Sequence, residues 1–277
     1  MSERAKYIKK IEIENLWDRL TVCWNLRPDV NVLSGINGIG KTTILNRIIT
    51  FLEEHQNEAI QETSHVFDGV QVSFEPSSAS YIPYNVIRSY DRPLMLKDVV
   101  QKADVNINSE LDWQLYILQR RYLDYQVNIG NRMVELLSSG CSDARSKALD
   151  IANNKRKFQD IIDNLFSYTG KKINRSKNDI TFIQGDTELL PYQLSSGEKQ
   201  ILLIYLTVLV QDGEHYVLLM DEPEASLHID WQQKLITTIR ELNPNVQIIM
   251  TTHSPAVIME GWVDTVTEVS DISTLKD

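Results

Sequence analysis

The sequence of 277 residues predicts an α/β fold with a mainly parallel central sheet, an antiparallel β part at the N-terminus and a helical insert. Tyr216–Met220 and Val246–Met250 are apolar without alternation, as in strands buried on both faces of a parallel sheet. A glycine-rich loop at 35–42 lies between a predicted strand and a predicted helix. Residues 110–137 and 143–168 contain no proline, and apolar residues recur at helical spacing in the first. Strands and helices in this order indicate an α/β sandwich.

The N-terminal part is predicted to be β. In residues 7–34, apolar residues alternate with polar ones on both sides of a turn at Asp18–Arg19. A short strand, Val30–Leu33, leads into the glycine loop. Residues 42–54 then carry apolar side chains three or four positions apart, which predicts a helix.

Beyond residue 180 the alternation of strands and helices returns. A helix is predicted from the serine-rich segment at 194–200 to about Val210, another at Trp231–Leu242, and a last strand at Val263–Glu268. We therefore expect one domain over 1–277, with a helical insert at 100–178.

Composition excludes several classes of protein. Hydrophobic residues make up 42% and aromatic residues 8%, as in a folded globular chain. No apolar run reaches the roughly 18 residues of a membrane span, and the N-terminus has no secretory signal, so a cytoplasmic location is expected. The formal charge is −10, yet residues 110–180 carry 12 Lys and Arg against 9 Asp and Glu. Contact with DNA or another nucleic acid is therefore expected on the insert, if anywhere.

The glycine loop carries the strongest motif. Gly35 to Thr42 fit G-x-x-x-x-G-K-[ST] in its strand–loop–helix context, which predicts a phosphate-binding loop. Lys41 would reach the β- and γ-phosphates of ATP, and the Thr42 hydroxyl would ligate Mg²⁺. The predicted nucleotide contacts in this loop are Asn37, Gly38, Ile39, Gly40, Lys41, Thr42 and Thr43.

Two adjacent carboxylates form the second motif. Asp221 and Glu222 follow a buried strand, and they are expected at its C-terminal edge, where ligands bind in parallel sheets. Asp221 would hold Mg²⁺, and Glu222 would act as general base toward the attacking water. The segment Leu194–Gln200, with two serines and a glycine before a helix, would offer hydroxyl and N–H donors to an anion.

The order GINGIGKTT, LSSGEKQ, VLLMDEPEASLH and TTHS resembles the ATP-binding-cassette (ABC) ATPases. The resemblance implies that two copies close head to tail around two ATP molecules. Ser195, Ser196, Gly197 and Glu198 match the signature motif, which contacts ATP held by the partner subunit's loop. His253 matches the switch histidine at the γ-phosphate and, with Lys41 and Glu222, completes the predicted catalytic set.

The segment DEPEASLH resembles the soluble RecF-like, SMC-like and OLD-like branch of these ATPases, whose members act in anti-phage defence or DNA repair. Only 24 residues follow His253, without the Toprim nuclease domain of OLD nucleases. We therefore expect a switch ATPase that hydrolyses ATP slowly without its trigger. It is expected to form a homodimer or a larger assembly and to control a separate effector such as a nuclease. No membrane partner is expected. The alternative is the ATP-binding subunit of an ABC transporter, which a neighbouring permease gene would favour.

Two parts of the family pattern are not matched. The Mg²⁺-binding glutamine of the Q-loop is absent: Gln71 lies inside a predicted strand, and Asn85 or Arg88 is nearest to the expected place. The adenine contact is equally open. Trp17, Asp18 and Arg19 are candidates, and Trp17 is as readily explained as a core residue.

Overall fold

The computed structural model describes residues 3–57, 66–88, 107, 109–140 and 142–275. They fall into two compact units. The first unit draws on Met1–Ser89, Gly213–Arg240 and Pro244–Asp277, and the second on Tyr90–Asp212 and Glu241–Asn243.

The elements are numbered in chain order. The strands are β1 (Glu3–Arg4), β2 (Tyr7–Leu16), β3 (Leu20–Asn25), β4 (Val30–Ser34), β5 (Val66–Phe67), β6 (Val70–Glu75), β7 (Ala79–Tyr81), β8 (Tyr84–Arg88), β9 (Lys171–Ile173), β10 (Phe182–Gln184), β11 (Thr187–Leu189), β12 (Tyr216–Asp221), β13 (Val246–Thr251), β14 (Val266–Glu268) and β15 (Ser273–Leu275). The helices are α1 (Lys41–Asn57), α2 (Glu110–Ser138), α3 (Ala144–Leu165), α4 (Ser196–Leu209), α5 (Ile229–Leu242), α6 (Pro255–Met259) and α7 (Val269–Ile272).

The first unit is built on a parallel sheet with strand order β14–β4–β13–β12–β8. Every residue of β12 and β13 is buried, which explains why neither strand alternates in sequence. Because the strands are parallel, their C-terminal ends share one edge. Asp221 and Thr251 end their strands there, and the glycine loop follows Ser34 of β4 at the same edge. The predicted α/β fold with a parallel central sheet is confirmed.

This unit also contains an antiparallel sheet of order β15–β3–β2–β6–β5 and a short parallel pair, β1 with β7. The apolar face of the antiparallel sheet packs with α1 and one face of the parallel sheet in a single core, which includes Ile11, Val22, Ile48, Val217 and Leu219. Each such side chain stabilises the fold by about 1.5–3 kcal/mol relative to exposure. The core thereby fixes α1, and with it the glycine loop, against β12.

Several boundaries follow the sequence predictions. Strands β2 and β3 enclose the predicted turn at Asp18–Arg19, and α1 contains the predicted helix. The predicted strand Val263–Glu268 is only half right. Its first three residues form a 3₁₀ turn, in which the carbonyl of Trp262 accepts hydrogen bonds from the Thr265 amide and hydroxyl.

The second unit contains α2, α3 and α4 with a small antiparallel sheet of order β11–β10–β9. The hydroxyl of Ser109 caps α2 by accepting from the amide of Asp112. This unit is longer than the predicted insert, because it continues through α4 to Asp212. Positions 100–106, 108 and 141 of the predicted insert lie outside the described residues. Across the described ranges, we find no helix long and apolar enough to cross a bilayer.

Candidate nucleotide-binding site

The glycine loop between β4 and α1 has the backbone that its motif requires. Gly38 and Gly40 have φ of +80° and +106°, which L side chains rarely adopt. Ile36, Asn37 and Gly38 are exposed. Helix α1 begins at the next residue, Lys41, so its first amide groups have no acceptor within the helix. The loop and helix end can therefore donate to an anion such as a phosphate.

The Lys41 ammonium lies inside this loop. It donates hydrogen bonds to the carbonyl oxygens of Gly35 (2.8 Å) and Ile36 (3.2 Å), and the residue is only 5% exposed. Burial lowers the pKa of Lys41, while the nearby carboxylates of Glu222 and Asp221 oppose that shift. The cation is thus held at the centre of the loop by neutral carbonyls, which a phosphate can replace.

A hydroxyl and a carboxylate meet beside Lys41. Thr42 Oγ1 donates to Asp221 Oδ1 at 3.1 Å, and Thr251 Oγ1 donates to the same oxygen at 2.6 Å. Hydroxyl and carboxylate oxygens are the ligands that Mg²⁺ takes in nucleotide sites, with phosphate oxygens and water completing the shell. Among the described residues no cluster of three or more His, Cys, Asp or Glu could hold a metal by itself. Thr42 and Asp221 therefore fit a metal that arrives with a nucleotide.

Glu222 has an unusual backbone and a defined partner. Its φ is +47°, a left-handed conformation that is uncommon for a residue with a side chain. Its amide lies 3.1 Å from the hydroxyl and 3.2 Å from the carbonyl oxygen of Thr251. Its Oε1 lies 2.9 Å from Nε2 of His253. The two residues predicted to act on the attacking water and the γ-phosphate are therefore in direct contact.

Glu224 connects two of the motifs. The residue is 6% exposed, and its Oε1 accepts from the Thr252 hydroxyl and from the amides of His253 (3.0 Å) and Ser254 (3.3 Å). Gln232 adds a second link, because its side chain donates to the carbonyl of Leu227 and accepts from the Ser254 hydroxyl. The loop that carries His253 is therefore held by the segment that follows Glu222.

The signature segment lies in the second unit. Ser195 and Ser196 are exposed and Gly197 is half-buried. Ser195 caps α4: its hydroxyl accepts from the Glu198 amide (3.3 Å) and contacts Glu198 Oε2 (2.9 Å). The N-terminal end of α4 is thus formed and open to an anion.

Glu198 itself faces inward. Its side chain is 2% exposed and accepts from the ammonium of Lys171 at 2.8 and 2.9 Å and from the hydroxyl of Thr169 at 2.9 Å. Burial raises the pKa of Glu198, but the hydrogen bonds from Lys171 and Ser195 outweigh it, so the net pKa is lowered. We expected Glu198 among the nucleotide contacts. The geometry favours a different role, in which its carboxylate supports the turn that presents Ser195.

Trp17 lies against the glycine loop. Its φ is +54°, and the residue is 42% exposed. A Cβ placed on Gly40 would come within 2.3 Å of Trp17 Cη2. The alternative that Trp17 is a core residue is therefore not supported. Its ring remains a candidate surface for the adenine, next to Asp18 and Arg19.

The strand register shows which of Asn85 and Arg88 lies nearer to the expected place of the Q-loop glutamine. Arg88 pairs with Asp221, whereas Asn85 pairs with Leu218, three residues further from the C-terminal edge of the sheet. Arg88 therefore occupies the position beside the predicted metal ligand, and Asn85 does not.

Comparison with known proteins identifies the family of the chain. A family described as "AAA domain, putative AbiEii toxin, Type IV TA system" matches residues 97–260, more than half of the chain. The chain belongs to this family. The matched range of this chain includes the signature segment, Asp221, Glu222 and His253.

Individual relatives extend the comparison. The Septu protein PtuA of Bacillus thuringiensis is 24% identical over 303 aligned positions, which cover 93% of this chain and 74% of that protein. The "Retron Vc95 probable ATPase" of Vibrio cholerae serotype O1 biovar El Tor is 32% identical over 99 positions, 31% of this chain. This match covers only 19% of the length of the retron protein.

The fold has a counterpart among solved structures. The SMC head crystallised with the C-winged helix domain of ScpA matches with a TM-score of 0.53 and 12% identity, over 98% of this chain and 97% of that chain. At this identity the likeness establishes the fold alone. The chain thus combines membership of this AAA family with the fold of an SMC head.

Thr251, Glu224 and Lys171 are among the site residues that were not predicted from the sequence. Thr251 and Glu224 lie inside segments already recognised as motifs, TTHS and DEPEASLH, and a search of those segments for hydrogen-bonding side chains would have found them. Lys171 carried no such signal, because it is one basic residue among many and lies 27 positions from Glu198.

Proposed function

We propose that this chain is an ATP-binding and ATP-hydrolysing switch subunit of an anti-phage defence system, which dimerises around ATP and controls a separate effector. The observation that carries the proposal is the meeting of Thr42, Asp221, Glu222 and His253 beside the Lys41 loop. A phosphate-binding loop, two metal-ligating oxygens and a paired carboxylate and imidazole are the groups that hydrolysis of a γ-phosphate needs.

Each residue then has a defined task. Lys41 exchanges its two carbonyl partners for the β- and γ-phosphates. Thr42 and Asp221 would hold Mg²⁺, which neutralises phosphate charge when it is bound. Glu222 orients the attacking water and accepts its proton, and His253, in contact with Glu222, binds the γ-phosphate.

Dimerisation supplies the remaining contacts. Ser195, Ser196 and Gly197 would bind the γ-phosphate of ATP held by Lys41 of the other copy. This proposal follows from the ABC resemblance and from the open N-terminal end of α4, where an anion would meet both the amides and the helix dipole.

The proposed biological role rests on the relatives. Two relatives carry the names of the Septu and retron systems, the Septu protein PtuA and a retron probable ATPase. Because the sequence resembles a branch of ATPases that act in anti-phage defence, we propose this role for the chain. A nuclease is the proposed effector, and the net positive insert at 110–180 is the proposed place for any nucleic-acid contact.

Glu222→Gln and Lys41→Ala test the proposal. With ATP and Mg²⁺, Glu222→Gln should bind ATP, hydrolyse it at least about a hundredfold more slowly, and elute as a dimer in gel filtration. Lys41→Ala should bind no nucleotide and stay unchanged by ATP. Hydrolysis by Glu222→Gln at the wild-type rate, or wild-type nucleotide affinity in Lys41→Ala, would refute the proposed roles. Repeated purification from the native operon without an effector protein would refute the effector proposal.

A further inference from the structure

Strand β8 places an arginine beside the predicted metal ligand. β8 and β12 are parallel, and Arg88 pairs directly with Asp221. Adjacent strands lie about 5 Å apart, and directly paired residues project to the same side of a sheet. Arg88 and Asp221 are therefore neighbours on one face.

The packing identifies that face. Val86 pairs with Leu219 two residues before the Arg88–Asp221 pair, and Tyr84 pairs with Val217 four residues before it. All four side chains belong to the core around α1. Side chains alternate along a strand, so every second residue shares a face. Arg88 and Asp221 thus continue the face that carries α1 and its glycine loop. Asn85, an odd number of residues away, lies on the opposite face.

Two carboxylates influence the cation of the phosphate loop. Glu222 and Asp221 lie near enough to Lys41 to oppose the lowering of its pKa by burial, although its hydrogen bonds go to loop carbonyls. Arg88 is exposed, and within the described part of the chain no hydrogen bond or ion pair engages its guanidinium. A guanidinium offers a planar fork of N–H donors that matches phosphate oxygens.

We propose that Arg88 binds the γ-phosphate of ATP within its own chain, in place of the glutamine that related ATPases carry at this strand end. The inference rests on the proposed ATPase function. Arg88 lies at the sheet edge beside Asp221, one of the residues that would hold Mg²⁺ next to the phosphates. The positive charge of Arg88 would add to that of Lys41 at the phosphates, where negative charge shifts during phosphoryl transfer.

Equilibrium titration with Mg²⁺ and either ADP or a non-hydrolysable ATP analogue tests this role, because only the analogue has a γ-phosphate. Arg88→Ala should weaken binding of the analogue about tenfold to a hundredfold and leave ADP affinity within about twofold. Its kcat should fall by about a hundredfold or more. Arg88→Lys should recover part of both losses, because it retains the positive charge.

Arg47→Ala is the matched control, because Arg47 lies on α1 and pairs with Asp68 away from the loop. This variant should bind both nucleotides like the wild type. Unchanged analogue binding in Arg88→Ala would overturn the proposal, and so would an equal loss for ADP, which would indicate a structural role. Full activity in Arg88→Gln would also overturn it, because the position would then act as a metal ligand.

These outcomes are distinct from failure of the proposed function. In that case the wild-type protein itself would bind neither nucleotide, or Lys41→Ala would bind both with undiminished affinity.

Discussion

Lys171→Ala should strongly destabilise the second unit. The ammonium of Lys171 contacts both oxygens of Glu198, and the two side chains are only 13% and 2% exposed. Its removal leaves a buried carboxylate without its cation, which typically costs 3–5 kcal/mol. Because Thr169 and Ser195 still donate to Glu198, we expect a loss of about 3 kcal/mol, at the lower end of that range.

Urea unfolding at pH 7 measures this loss, and Lys177→Ala is the matched control. Lys177 pairs with Glu188 in the same unit, but both side chains are largely exposed (49% and 41%), so its removal should change stability little. The double variant Lys171→Met, Glu198→Leu should recover much of the stability, since no unpaired charge remains. If Lys171→Ala cost no more than the control, the buried pair would not hold the signature turn.

The same pair gives a pH dependence. In the folded protein the pKa of Glu198 is lowered, since hydrogen bonds from Lys171 and Ser195 outweigh the effect of burial. The unfolded chain therefore takes up this proton at a higher pH than the folded one, and acid favours unfolding. The stabilisation is present above the ordinary glutamate pKa and is lost as the pH falls through the lowered value. This part of the acid dependence should shrink in Lys171→Ala, and an identical pH profile would contradict the assignment.

The remaining predictions concern the first unit. Gly40→Ala should lower the free energy of unfolding by roughly 1–3 kcal/mol and weaken nucleotide binding, because φ is +106° and the new Cβ would meet Trp17. A wild-type melting temperature together with wild-type nucleotide affinity would exclude this clash. Glu224→Ala should reduce kcat with little change in ADP affinity, because the His253 loop loses its acceptor, whereas Glu224→Gln retains one acceptor oxygen and should retain most activity. In a His253→Ala background, Glu224→Ala should have no further effect on kcat, and an additional independent loss would count against positioning through His253.

The fold was predictable where the sequence pattern is local. Continuous apolar runs predicted β12 and β13, and alternation predicted β2 and β3, because those patterns reflect burial on two faces or on one. Strand β8 was not predicted. Its residues, YNVIR, are mixed in polarity, and the strand is defined by pairing with β12, more than 120 positions away.

The same distinction applies to the site. Glycine loop residues and adjacent carboxylates have fixed spacing, so Lys41, Thr42, Asp221 and Glu222 could be assigned from motifs. The inward orientation of Glu198 depends on Lys171 and Thr169, which only the fold brings to it. The place of Arg88 depends on strand register, which no motif records.

Mixing two inactive variants tests the central proposal, a site shared between two copies, most directly. Lys41→Ala lacks a working phosphate loop, and Gly197→Glu blocks the signature segment; each alone should hydrolyse little ATP. In a head-to-tail dimer of the two, one site combines the intact loop of one chain with the intact signature of the other. We predict that the equimolar mixture regains up to about a quarter of wild-type turnover by random pairing. A mixture as inactive as its components, with exchange of subunits shown by a tagged pull-down, would contradict the account.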